Sequence, residues 1–165
     1  MKKNKVDIQR LTAELNEDKA AMKKIQLSNT KACERIAQGA KDELDYMALA
    51  YTIHNIYGIV ENAGLRISKF FENNLRADFW HKELLERMKL DIPEIRPAFF
   101  SFDEYLLFDE LRAFRHFFRN IYNRTLDIER LDSLQKKIPF AIESFYTAVD
   151  KYNAFLQKLS ELIKD

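Results

Sequence analysis

The chain has 165 residues, with 27 lysines and arginines against 26 aspartates and glutamates, a formal net charge of +1. That balance excludes a wholly basic nucleic-acid binder, and 47% apolar residues exclude a disordered chain. Three glycines and three prolines exclude a sandwich or barrel of many tight turns. The single cysteine, Cys33, leaves no internal disulfide and cannot by itself anchor a cysteine-rich zinc site. No apolar run approaches the roughly 18 residues of a membrane span, and the polar start Met1-Lys2-Lys3-Asn4-Lys5 is unlike a secretory leader. The expectation is a single all-α domain over residues 1–165, soluble and cytoplasmic, built as an antiparallel bundle of about five helices.

From Ile8 the apolar residues Leu11, Leu15, Met22, Ile25, Ala32 and Ile36 follow a three-four spacing, interrupted by Asp18 and Asn29. This predicts an amphipathic helix ending near Gly39, where glycine suits a C-cap. A second helix is predicted from Asp42 to Asn73, with a stripe of Leu49, Ile53, Ile56, Val60, Ala63, Ile67 and Phe70. Gly58 and Gly64 inside it each cost about 1 kcal/mol relative to alanine, which points to close approach by a neighbour. Asp78 is the expected cap of a short third helix, Phe79 to Met88, with Trp80, Leu84 and Leu85 facing inward. Pro93 and Pro97 place an ordered loop between Lys89 and Phe100. Ser101 and Glu104 have capping-box spacing and open a fourth helix that should run through about Tyr122. Asp127 caps the next segment, and Pro139 divides it into a short helix and a long final one. The latter carries Ile142, Phe145, Val149, Tyr152, Leu156, Leu159 and Ile163 on one stripe.

The fourth helix carries the chemistry. With Arg115 as zero on a helical wheel, Arg112, Arg119 and Tyr122 fall between about −20° and +60°, His116 near 100° and Asn120 near 140°. The apolar Leu111, Phe114, Phe117, Phe118 and Ile121 occupy the other side. Ordinary solvated faces mix signs, because like charges at i,i+4 repel, yet no acid occurs from Leu111 to Arg124. A row of guanidiniums calls for a neutralising partner. Two readings remain at this level. Asp109, Glu110 or acids of neighbouring helices make the row an inert salt-bridge layer, or the row seats phosphate or an acidic surface.

The run Leu111-Arg112-Ala113-Phe114-Arg115-His116-Phe117-Phe118-Arg119-Asn120-Ile121-Tyr122, followed by Leu126-Asp127, resembles the signature helix of HEPN domains, specifically HepT-like proteins. Ile53-His54-Asn55-Ile56-Tyr57 with Glu61, and Phe79-Trp80-His81-Lys82-Glu83-Leu84-Leu85, resemble the same group in the same order. The resemblance implies a helical-bundle homodimer, the toxin of a toxin–antitoxin pair whose antitoxin is a minimal nucleotidyltransferase. It further implies metal-independent ribonuclease activity. The family motif runs from an arginine and a polar residue, through a few others, to a histidine, any residue, and a tyrosine. On this chain Arg115 takes the arginine position, His116 the polar one and Tyr122 the tyrosine, while Asn120 stands where the histidine is expected. An imidazole moves protons near neutral pH, whereas an amide only orients or donates. Asn120 or His116 would therefore orient or transfer, Arg115 would stabilise the transition state, and Arg112 and Arg119 would seat RNA phosphates. Tyr122 is the implied acceptor of AMP from the antitoxin. The substitution at Asn120 also admits a non-catalytic helical partner of a nucleotidyltransferase.

No phosphate-binding glycine loop, His-Glu-x-x-His pair or serine elbow is present. His54, His81 and Glu61 are a minimal metal set, but helix spacing alone does not bring them together, and hydrogen bonding in the core or interface is the plainer reading. No metal or cofactor is expected. Cys33, beside Ala32 and Ile36, reads as an apolar, buried thiol.

Overall fold

The structure is a computed structural model that describes residues 4–72, 80–122 and 124–163, with the backbone alone of residue 80. Its described residues form six helices: α1 (Lys5–Ala37), α2 (Glu43–Phe71), α3 (Trp80–Met88), α4 (Phe102–Arg119), α5 (Ile128–Gln135) and α6 (Ile138–Leu162). The expected end of the second helix at Asn73, the Asp78 cap, Phe79 and the Trp80 side chain lie outside the described residues. The bundle is all-α, as expected, and the short helix expected before Pro139 is α5, which makes the count six against the expected about five.

Helix α1 starts at Lys5, earlier than its stripe suggests, because Asn4 and Asp7 form a reciprocal capping box. It ends as glycine predicts: Gly39 adopts φ +102°, and the Gly39 and Ala40 amides donate back to the carbonyls of Ile36 and Arg35. Asp42 caps α2, Ser101 and Glu104 box the start of α4, and Asp127 caps α5. Pro139 sits in the first turn of α6, where its missing N–H is no loss.

Helix α2 is the hub. It packs against all five other helices and buries residues on every side, from Leu49 and Ile53 to Ala63 and Ile67. Its core is shared with Leu11 and Leu15 of α1, Leu84 and Leu85 of α3, Phe108 and Leu111 of α4, and Phe145, Val149 and Leu156 of α6. The two polar interruptions of the α1 stripe are cross-helix anchors. Buried Asp18 accepts from Arg66 of α2 at 3.0 Å, and buried Asn29 donates to Thr52 at 2.8 Å and exchanges hydrogen bonds with Gln135 of α5. Such satisfied pairs fix helix register, which a continuous apolar stripe would leave free to slide. Cys33 is partly buried against the core, and this burial is the main reason its thiol pKa lies above the ordinary value.

The glycine expectations hold. A Cβ on Gly64 would stand 3.2 Å from Met88 and 3.6 Å from Leu84, so α3 crosses there. The loop after α3 is ordered by its own sequence. The amides of Phe99 and Phe100 both donate to the Met88 carbonyl, and both rings enter the core. Buried Arg96 donates to Glu72 and to the carbonyls of Arg87, Leu90 and Pro97. This loop sets where α4 begins, and so where its arginines lie against α2.

Candidate functional site

Helix α4 buries Tyr105, Leu107, Phe108, Leu111 and Phe114 and turns its arginine-bearing flank toward α2 and α3. Its apolar face decides that orientation, since leaving those side chains in water would cost about 1.5–3 kcal/mol each. Arg115 reaches across α2 at Gly58, where a Cβ would come within 2.8 Å of its Nη1. Gly58 is thus the gap through which the guanidinium passes. Its Cζ lies 5.8 Å from the Tyr57 ring centroid, and Nη1 is 3.4 Å from Oε1 of Glu61. Tyr57, Gly58 and Glu61 occupy one turn of α2, so a single turn supplies ring, gap and carboxylate.

Glu61 is only 4% exposed. Its second oxygen, Oε2, is 2.5 Å from Nδ1 of His81 on α3. One carboxylate therefore faces a guanidinium from α4 and an imidazole from α3. Tyr57, Glu61, His81, Arg112, Arg115, His116 and Arg119 line a common recess of about 50 Å³. Arg112 is held by Asp109 one turn back, Nε to Oδ1 at 2.7 Å. Among the described residues Arg119 has neither an ion pair nor a hydrogen bond, and it is exposed. Of the three arginines lining the recess, Arg112 is paired with Asp109 and Arg115 faces Glu61, so the unbalanced positive charge is that of Arg119. The Tyr57 hydroxyl is buried there beside Glu61. Burial first, then the charge of Glu61, pushes its pKa well above the tyrosine range, so it stays a neutral O–H donor.

On the other side of Arg115, His54 packs its ring on Phe118 at 5.5 Å between centroids. Burial, then the charges of Arg115 and Arg119, hold its pKa below the ordinary 6.5, against an opposing pull from Glu61. Its Nδ1 is buried without a partner. His54, His81 and Glu61 do not assemble as ligands. No group of three His, Cys, Asp or Glu side chains among the described residues is placed to hold a metal ion.

Four of the six residues singled out on the fourth helix, Arg112, Arg115, His116 and Arg119, meet at the recess. Asn120 and Tyr122 do not, because α4 stops at Arg119 instead of running through Tyr122. Asn120 is the C-cap, with φ −114°, and its Nδ2 donates to the His116 carbonyl at 2.7 Å. The side chain standing at the motif's histidine position is spent on ending the helix. Tyr122, in the turn beyond, is 88% exposed. Of the two readings of the arginine row, the salt-bridged one holds in part: Arg112 and Arg115 have carboxylate neighbours, Arg112 with the Asp109 named from the sequence, and Arg119 has none among the described residues. Single-helix periodicity missed Tyr57, Glu61 and His81 as lining residues. The available signal was Tyr57 and Glu61 at i,i+4 around a glycine that interrupts an apolar helix.

A family model described as HepT-like protein matches residues 48–156, well over half of the chain. The match takes in every residue of the recess and leaves α1 ahead of it. Neither curated proteins nor solved structures returned a match. No helix among the described residues is long and apolar enough to cross a membrane. With six helices in the expected order and the arginine-bearing helix set against the hub, the chain belongs to the HepT-like family of HEPN-type helical domains.

Proposed function

We propose that this HepT-like protein grips RNA by its phosphates at the α4 recess and cleaves it without a metal. The observation that carries the reading is the convergence of Arg112, Arg115 and Arg119 on one recess. Guanidiniums forming bidentate hydrogen bonds suit phosphate oxygens, and charge building on a phosphorane strengthens them. Arg115, the most enclosed of the three, stabilises that charge; Arg112 and Arg119 seat neighbouring phosphates. His116, exposed in the last turn of α4 and lining the recess, transfers a proton. Asn120 supports this indirectly by capping the turn that carries His116. We further read the single domain as a homodimer acting in the cytoplasm as the toxin of a toxin–antitoxin pair. A minimal nucleotidyltransferase antitoxin would add AMP to Tyr122, whose exposure suits such modification.

Purified protein incubated with single-stranded RNA in EDTA tests the reading. Cleavage is expected to persist in the chelator and to fall by about 100-fold or more in Arg115→Ala. Loss of cleavage in EDTA, or an Arg115→Ala variant as active as the parent, would overturn it. A second reading is favoured by the use of Asn120 as a helix cap: a non-catalytic helical partner of a nucleotidyltransferase. It predicts tight binding to that enzyme and no cleavage unless Asn120→His restores it.

A further inference from the structure

A strand held at Arg115 must set its bases somewhere, and the recess has no room for them. Its volume of about 50 Å³ falls well short of the roughly 300 Å³ at which sites for small organic ligands begin. Arg115 is also a wall of a larger space, a groove of about 590 Å³ between α1 and α2. The groove runs from Tyr51 to Asn62 on α2, about three helical turns or about 16 Å, and from Ala21 to Ser28 on α1. Gly58, where Arg115 crosses α2, lines it too, so recess and groove meet at one guanidinium. The α1 wall lies ahead of the segment that the family model matches.

The lining suits a base carried on a polyanion. Lys24 and Arg115 belong to it and, among the described residues, no carboxylate does. The groove of about 830 Å³ between α1 and α6 includes Asp150 and Glu161, and that of about 460 Å³ before α5 includes Asp127. Asn55 and Asn62 stand two turns apart on the α2 wall. Nδ2 of Asn55 donates to the Tyr51 carbonyl at 2.8 Å, which leaves its Oδ1 without a partner among the described residues. The Asn62 amide makes no hydrogen bond there at all. An amide offers a donor and an acceptor together, the combination that base edges present. Tyr51, 58% exposed, adds an aromatic face of the kind on which unpaired bases stack. We propose that the groove between α1 and α2 seats an unpaired base of the RNA strand whose phosphate Arg115 holds. Tyr51 is its stacking platform, and Asn55 and Asn62 read its edge. This inference rests on the reading that the protein grips RNA at Arg115.

The test measures binding of the full chain to short homopolymers of adenine, cytosine and uracil nucleotides. Their 2′-O-methyl sugars prevent cleavage, and strands of one length carry equal charge. The parent is expected to separate its best and worst strands by about tenfold or more in dissociation constant. Asn55→Ala combined with Asn62→Ala is expected to bring all three within about twofold of one another. Tyr51→Ala should weaken each strand by about tenfold and keep their order, because stacking tolerates any base. Ser28→Trp, at an exposed position of the α1 wall, should fill the groove and also lower affinity by about tenfold. Thermal melts of each variant exclude unfolding as the cause. A double asparagine variant that keeps the parental ratios, or a Ser28→Trp variant that binds as the parent does, overturns the inference. Nucleoside monophosphates bound as tightly as the strands would assign the groove to free nucleotides and likewise overturn it. A parent that binds all three strands alike, and loses them in Arg115→Ala, overturns the inference and leaves the phosphate grip standing. A parent that binds none overturns both.

Discussion

Arg96 and Arg115 are both drawn into the protein, yet their guanidiniums are used in opposite ways. Arg96 has no exposed side-chain surface, and each of its guanidinium nitrogens has an acceptor in Glu72 or in the carbonyls of residues 87, 90 and 97. Arg115 keeps 21% of its side chain exposed, faces its carboxylate at 3.4 Å, and makes no hydrogen bond among the described residues. A saturated guanidinium organises its own loop and has nothing left for a ligand. An undersaturated one at the edge of a recess keeps donors for an anion. The contrast lies in how far each guanidinium is saturated, which burial or charge alone does not report.

The comparison breaks most readily at Arg96. Arg96→Ala removes all of those donors from a sealed site and is expected to cost about 3–5 kcal/mol in urea unfolding, against about 1 kcal/mol for Arg115→Ala. Equal losses would erase the distinction. Gly58→Ala sharpens it from the other side. The new methyl would meet only the flexible end of Arg115, so the melting temperature should hold or rise. RNA affinity should fall by about tenfold, or about 1.4 kcal/mol, as the guanidinium leaves its seat over α2. Unchanged affinity would show that Arg115 is not positioned by that gap.

The smallest effect concerns His54, which senses the uncompensated arginine charge. Its folded pKa is lowered, first by burial and then by Arg115 and Arg119, so below about pH 6.5 the unfolded chain takes up a proton that the folded one refuses. This contribution to stability is fully present above about pH 6.5 and is lost as pH falls toward the lowered folded value. His54→Phe should flatten that part of the stability profile. In an NMR titration Arg119→Ala should move the His54 pKa upward; no movement would mean that Arg119 has no part in setting it.

Much of the helix plan was legible from local chemistry. The caps at Asp42, Ser101 and Asp127, the glycine stop at residue 39 and the break before Pro139 all depend on backbone groups within a few residues. The arginine row was legible for the same reason, since three side chains on one helix share a flank whatever surrounds them. Two local features went unread. The Asn4–Asp7 capping box starts α1 before its apolar stripe, and Asn120 ends α4 by bonding back to His116. Asp18 and Asn29 looked like interruptions of a stripe because their partners, Arg66, Thr52 and Gln135, lie on other helices.

By itself the sequence determined the all-helical class, the order of the elements and the basic flank of α4, because periodicity, capping and charge spacing are properties of one segment. Only the tertiary structure decided that Arg115 crosses α2 at Gly58 and shares Glu61 with His81. Those meetings are set by how buried faces pack, and distances between helices have no representation in the spacing of residues along any one of them.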